Sequence, residues 1–134
     1  MLLLDAGVWV ALGEPESEHH SPARGLVREV ATPLAALDLT LYEVADVVGA
    51  RKGRHEDAAR IVRLLLTRCR HDPLTVDADL LAATLRVAAQ YRLTAYDAAY
   101  VAAAERHEWT LVSTDVRDLV SKGLAITPGA ALYP

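Results

Sequence analysis

Short unbroken apolar runs alternate along the chain with segments whose apolar residues recur every three or four positions. Leu2-Leu3-Leu4 is the first such run, and it stops at Asp5. A run of this kind reads as a strand buried on both faces, and the spacing of Val8, Trp9, Ala11 and Leu12 behind it predicts a strand-to-helix turn. Gly13, Pro15 and Ser17 mark a loop. A helix is expected over 20–30, with Leu26, Val27 and Val30 turned inward, until Thr32-Pro33 breaks it. Leu34–Leu37 predicts a second strand, with Asp38 as the N-cap of a helix running to Arg51. Gly53 separates that helix from another over 56–69, where Ile61, Val62, Leu65 and Leu66 form an apolar stripe. Beyond Pro73, Leu74-Thr75-Val76 is a strand candidate, and residues 77–91 predict a helix with Leu81, Leu85 and Ala88 at i, i+4 and i+7. Thr94 opens an alanine-rich helix over 95–107, whose small side chains let its backbone lie close to a sheet. Thr110-Leu111-Val112 predicts a strand and 116–122 a short helix after Asp115. Leu124-Ala125-Ile126 reads as a last strand before a Pro128-Gly129 turn. Strands alternating with helices predict a layered α/β fold with a mainly parallel sheet. With no internal repeat, linker or low-complexity segment, residues 1–134 are expected to form a single domain.

Composition narrows the class. An apolar share of 52% with 24% charged residues excludes an intrinsically disordered chain. The single cysteine, Cys69, excludes a disulfide framework and points to a reducing cytoplasm. The apolar runs fall short of the ~18–20 residues of a membrane span. Met1 leads straight into a core-like segment with no basic region before it, so no signal peptide is expected. Charge is distributed unevenly under a net value of −4: residues 51–70 carry seven basic side chains against two acidic ones, a local +5. Such a segment is either a solvated helix face or a contact for a polyanion. Twelve of the fourteen basic residues are Arg, which can grip phosphate through two parallel hydrogen bonds.

Several chemistries are set aside. Neither G-x-x-x-x-G-K-[ST] nor G-x-G-x-x-G occurs, and Gly7 stands where an aspartate-nucleophile phosphatase would carry its second acid. The five histidines show no zinc spacing with Cys69, and that thiol has no paired base. Trp9 and Trp109 flank strands and read as packing residues.

The acids are more informative. In open α/β sheets ligands gather beyond the carboxyl ends of the strands, where Asp5 and Asp115 fall. Glu43 and Asp97 interrupt otherwise apolar helix faces. Each has a structural reading as well: Asp5 and Asp115 as helix caps, Glu43 as a solvated side chain, and Thr94-x-x-Asp97 as a capping box. Gathered in one cleft, four carboxylates would resist ionisation. A hard divalent cation such as Mg²⁺ or Mn²⁺ removes that penalty, and the chemistry such a site supports is phosphodiester hydrolysis by a metal-activated water.

Leu2-Leu3-Leu4-Asp5, Leu41-Tyr42-Glu43-Val44-Ala45, Leu93-Thr94-Ala95-Tyr96-Asp97-Ala98-Ala99-Tyr100-Val101-Ala102 and Leu111-Val112-Ser113-Thr114-Asp115 together resemble the PIN domain, and more narrowly the VapC-type toxins of toxin–antitoxin pairs. The likeness spans nearly the whole chain. It implies a three-layer α/β/α sandwich with a short, mainly parallel central sheet. It further implies a metal-dependent endoribonuclease of type II, VapBC-type, in which Asp5, Glu43, Asp97 and Asp115 bind Mg²⁺ or Mn²⁺ and carry catalysis, with Ser113 supporting them. A homodimer silenced by a VapB-type antitoxin is implied too, with RNA following Arg51, Lys52 and Arg54 toward the acids. One departure is visible: where relatives often carry Ser or Asn two positions after the first Asp, this chain has Gly7. The alternative is a PIN-like module that binds RNA or a partner without cutting.

Overall fold

The computed structural model describes residues 1–29 and 31–134, so Val30, expected to face inward, lies outside the described residues. Three short strands, β1 (Leu2–Leu4), β2 (Leu34–Ala35) and β3 (Thr110–Val112), form a parallel sheet in the order β2-β1-β3. The register pairs Leu3 with Ala35 on one side and with Leu111 on the other. Parallel neighbours require crossovers, which the helices supply: α1 (Ala6–Ala11), α2 (His20–Arg28), α3 (Asp38–Val44), α4 (His55–Arg68), α5 (Ala78–Tyr91), α6 (Ala95–His107) and α7 (Pro128–Leu132).

Strand alternation divides the interior into two apolar cores, because successive side chains leave opposite faces of the sheet. Leu4, Leu34 and Val112 face α1, α2 and α4, packing with Trp9, Leu26, Ile61 and Leu65. Leu3, Ala35 and Leu111 face α5 and α6, packing with Leu80, Val87, Ala98 and Val101. This is the three-layer α/β/α sandwich that the resemblance implied. The alanines at 98, 99, 102, 103 and 104 are all buried, as expected of a helix lying close on a sheet. Trp9 is fully buried, while Trp109 is half-buried and stacks on the His107 ring at 4.5 Å.

Several expected elements come out differently. Leu74 and Ile126 each make a single parallel bridge, to Leu37 and Val112, so neither expected strand forms. Asp38 is the first residue of α3, not its N-cap; that place is taken by Leu37. Beyond Val44 the expected helix continues as a π-helical segment over Ala45–Arg51, and the short helix after Asp115 is likewise a π turn, Val116–Val120. The Pro128-Gly129 turn is instead the start of α7, capped by Thr127 and seated against α2. On α5 the buried face is Leu80, Thr84 and Val87, leaving Leu81 and Leu85 exposed. The stripe of α4 turns Ile61 and Leu65 into the core, so most of it is not free to join two copies of the chain. No helix among the described residues is long and apolar enough to cross a membrane.

Candidate active site

The sheet brings its acids together through element ends. Asp5 follows β1, and its N–H continues the ladder by donating to the Val112 carbonyl at 3.1 Å. Its carboxylate then accepts from the Val8 N–H at 3.2 Å, capping α1. Asp115, three residues past β3, caps the π turn by accepting from the Asp118 N–H at 2.9 Å. Thr94 caps α6 by accepting from the Asp97 N–H at 3.2 Å, which puts Asp97 in the first turn of that helix. The structural readings of Asp5 and Asp115 therefore hold, and each leaves carboxylate capacity beyond the cap. Helical N-termini favour negative charge, so these placements partly offset the repulsion of gathering acids.

Ser113 ties two of them. It is fully buried; its Oγ accepts from the Asp115 N–H at 2.9 Å, and its hydroxyl lies close enough to the Asp5 carboxyl to favour the ionised form. Glu43 is held from the other layer. The buried Tyr100 hydroxyl donates to Glu43 Oε1 at 2.8 Å, so Thr40, 2.8 Å from that hydroxyl, is the donor to it. Burial, reinforced by the Glu43 charge, keeps the Tyr100 phenol well above its ordinary range and thus protonated.

The carboxylates sense one another. Burial pushes Asp5 up to about 7, against the lowering effect of Ser113 and the Val8 N–H, and the charges of Glu43 and Asp97 push it the same way. Glu43 is raised first by burial and then by Asp97, against the Tyr100 hydrogen bond. Asp97 is raised by burial and by Asp115 and Asp118, while Thr94 and Lys122 draw it down. The tightest group is Asp97, Asp115 and Asp118, each offering an oxygen within 4.8 Å of the others. Asp5 and Glu43 lie within electrostatic reach of Asp97 but outside that group. A donor set made only of carboxylate oxygens at these separations fits a hard divalent cation, whose oxygen ligands stand about 2.0–2.6 Å away.

Asp118 and Tyr100 are the residues that sequence reasoning missed. The spacing Asp115-x-x-Asp118 carried a signal, since a capping acid and the residue three later share one turn. Tyr100 carried a weaker one: a tyrosine on an otherwise apolar helix face needs a partner for its hydroxyl. Of the expected basic contacts, only Arg51 stands beside the acids, lining a cavity of about 350 Å³ with Tyr42, Glu43, Asp46, Val47 and Tyr96. Lys52 pairs with Glu14, and Arg54 binds Asp57 at 2.7 Å and the Gly13 carbonyl at 2.8 Å, pinning the loop after α1.

A layered fold with acids at the carboxyl ends of its strands is the architecture of a phosphoryl-chemistry site. The profile of the PIN domain matches residues 2–121, and the chain belongs to the PIN domain family. It is 33% identical over 132 residues to Ribonuclease VapC3 of Pyrobaculum aerophilum, covering 95% of this chain and 98% of that protein. The crystal structure of PAE2754 from Pyrobaculum aerophilum superposes with a TM-score of 0.70 at 31% identity, covering 98% of this chain and 92% of that one. VapC20 of Mycobacterium tuberculosis, a toxin that cleaves the sarcin–ricin loop, gives a TM-score of 0.73 at 19% identity over 92% and 95% of the two chains, a likeness of fold.

Proposed function

We propose that this chain is a metal-dependent endoribonuclease and the toxin of a VapBC-type pair, using Mg²⁺ with Mn²⁺ as a substitute. The observation that carries this reading is the convergence of Asp5, Glu43, Asp97 and Asp115, with Asp118 added, on one end of the sheet. The kinship with a ribonuclease of the VapC class supports it.

When bound, the cation supplies a water of lowered pKa and positive charge opposite the phosphate oxygens. Asp97, Asp115 and Asp118 offer the closest set of oxygens to hold it, with Asp5, at the end of β1, within electrostatic reach of Asp97. Ser113 holds the Asp115 backbone beside Asp5, which limits the reorganisation needed on binding. Glu43, which the Tyr100 hydroxyl orients, would accept the proton of the attacking water. An antitoxin of the VapB type, and pairing of two copies, belong to the same reading.

The test is cleavage of single-stranded RNA under Mg²⁺ titration with an EDTA control. Asp5→Asn and Asp97→Asn are expected to lose cleavage by about 10²–10³-fold while remaining folded, in line with losses on removing a charge-stabilising group. Either variant cutting at the parental rate would overturn the reading. RNA bound without metal-dependent cleavage would favour the binding module instead.

A further inference from the structure

Tyr42 and Tyr96 are 80% and 65% exposed. Each directly precedes a site acid, Glu43 on α3 and Asp97 on α6, and both line the cavity of about 350 Å³ that Glu43 also lines. Its other walls are Val47, Asp46 and Arg51. Aromatic faces, an acceptor carboxylate and a guanidinium in one recess are the elements that hold an unpaired base: rings to stack on it, an acceptor for its N–H edge and a cation for its phosphate. Arg51 Nη2 and Asp46 Oδ2 are 2.9 Å apart, but this pair is solvent-exposed and therefore weak, so the guanidinium can turn to an incoming phosphate.

We propose that Tyr42 and Tyr96 are the residues that hold the RNA strand next to the acids, by forming a stacking site for an unpaired nucleobase. The inference rests on the ribonuclease reading above. Glu43 joins the two: it lines this cavity, and the Asp97 charge acts on its carboxylate, so the recess adjoins the acid cluster. Double-stranded RNA cannot use the site, because its bases are stacked within the helix. Since every base has a π-face, the site selects for strandedness more than for sequence.

The experiment measures fluorescence anisotropy of a labelled RNA octamer, single-stranded or annealed to its complement, on full-length Asp5→Asn protein in Mg²⁺. Tyr42→Ala and Tyr96→Ala, added singly, should weaken single-stranded binding by about tenfold or more and leave duplex binding unchanged. Tyr→Phe at each position should stay within about twofold of the parent, and Tyr→Leu should not. In cleavage-competent protein the alanine variants should raise KM with little change in kcat. Parental affinity in the alanine variants, equal loss on duplex, or no RNA binding by the parent would overturn the proposal. So would unchanged RNA affinity accompanied by loss of self-association in light scattering, which would assign the rings to contact between copies. The binding arm needs no turnover: tyrosine-dependent binding without any metal-dependent cleavage overturns the ribonuclease reading alone.

Discussion

Thr114 stands where a side chain at position 7 would begin. A β-carbon on Gly7 would lie 2.2 Å from Thr114 Oγ1 and 3.3 Å from Asp5 Oδ1, so the loop after β3 closes onto α1 only because residue 7 has none. The polar side chain that relatives often carry two positions after the first Asp is absent, and a hydroxyl from the other end of the site fills its place. Gly7→Ser should therefore displace Thr114, costing about 1–3 kcal/mol of stability by overpacking and lowering cleavage. Adding Thr114→Ala should recover most of both losses, a coupling that a double-mutant cycle of thermal melts and rates would measure. Independent, additive losses would contradict the pairing. None of this was visible in the chain order, because Gly7 and Thr114 meet only through the alignment of β1 with β3. Asp5 and Asp115, by contrast, were legible, since one directly follows an apolar run and the other lies three residues beyond one, both past a strand's carboxyl end. Asp118 was signalled only by its spacing from Asp115, one turn on in a short segment.

At the level of elements, the strands and most helices follow from periodicity, and the departures have local causes. The α5 segment is apolar on nearly every side, so spacing did not decide which face is inward. Thr84 does: its hydroxyl bonds back to the Leu80 carbonyl at 2.8 Å, which lets a polar residue enter the core. The π-helical stretch after Val44 could not be read from side-chain pattern, and it begins directly behind Glu43, where such irregularities often mark functional sites. The edge segments at Leu74 and Ile126 have strand-like sequences but only single bridges, because the sheet is too short to extend to them. Helix ends show a further economy of glycine. Arg92 and Glu108 close α5 and α6 with left-handed backbone at φ 55°, a conformation that side chains disfavour by about 1–2 kcal/mol. Glu108→Gly should raise stability by up to ~1 kcal/mol, read as a higher midpoint in urea with unchanged slope. A lower midpoint would show that the Glu108 side chain contributes more than its backbone strain.

Across the whole molecule, acids from four separate elements are drawn to one end of the sheet. Without a cation that arrangement is costly, and the cost depends on pH. Asp5 rises from 3.8 to about 7 on folding, so the folded chain holds its proton more tightly than the unfolded one. Its contribution to stability is complete below the unfolded value and is lost as pH rises through about 7, while raised Glu43 and Asp97 act in the same direction. In EDTA, stability should thus fall between pH 5 and 8, by on the order of 2–4 kcal/mol from Asp5. Asp5→Asn should flatten this dependence, and Mg²⁺ in excess of its Kd should restore stability at pH 8 by binding the folded state alone. A melting profile in EDTA that rises over this range would show that the acids are solvated apart.

The most direct test is an anomalous-difference map from crystals of this protein soaked in Mn²⁺. A peak about 2.0–2.6 Å from an Asp97 oxygen, with at least one of Asp5, Asp115 and Asp118 also coordinating it, is the predicted result. Saturating Mn²⁺ with no density among these side chains would contradict a shared metal centre.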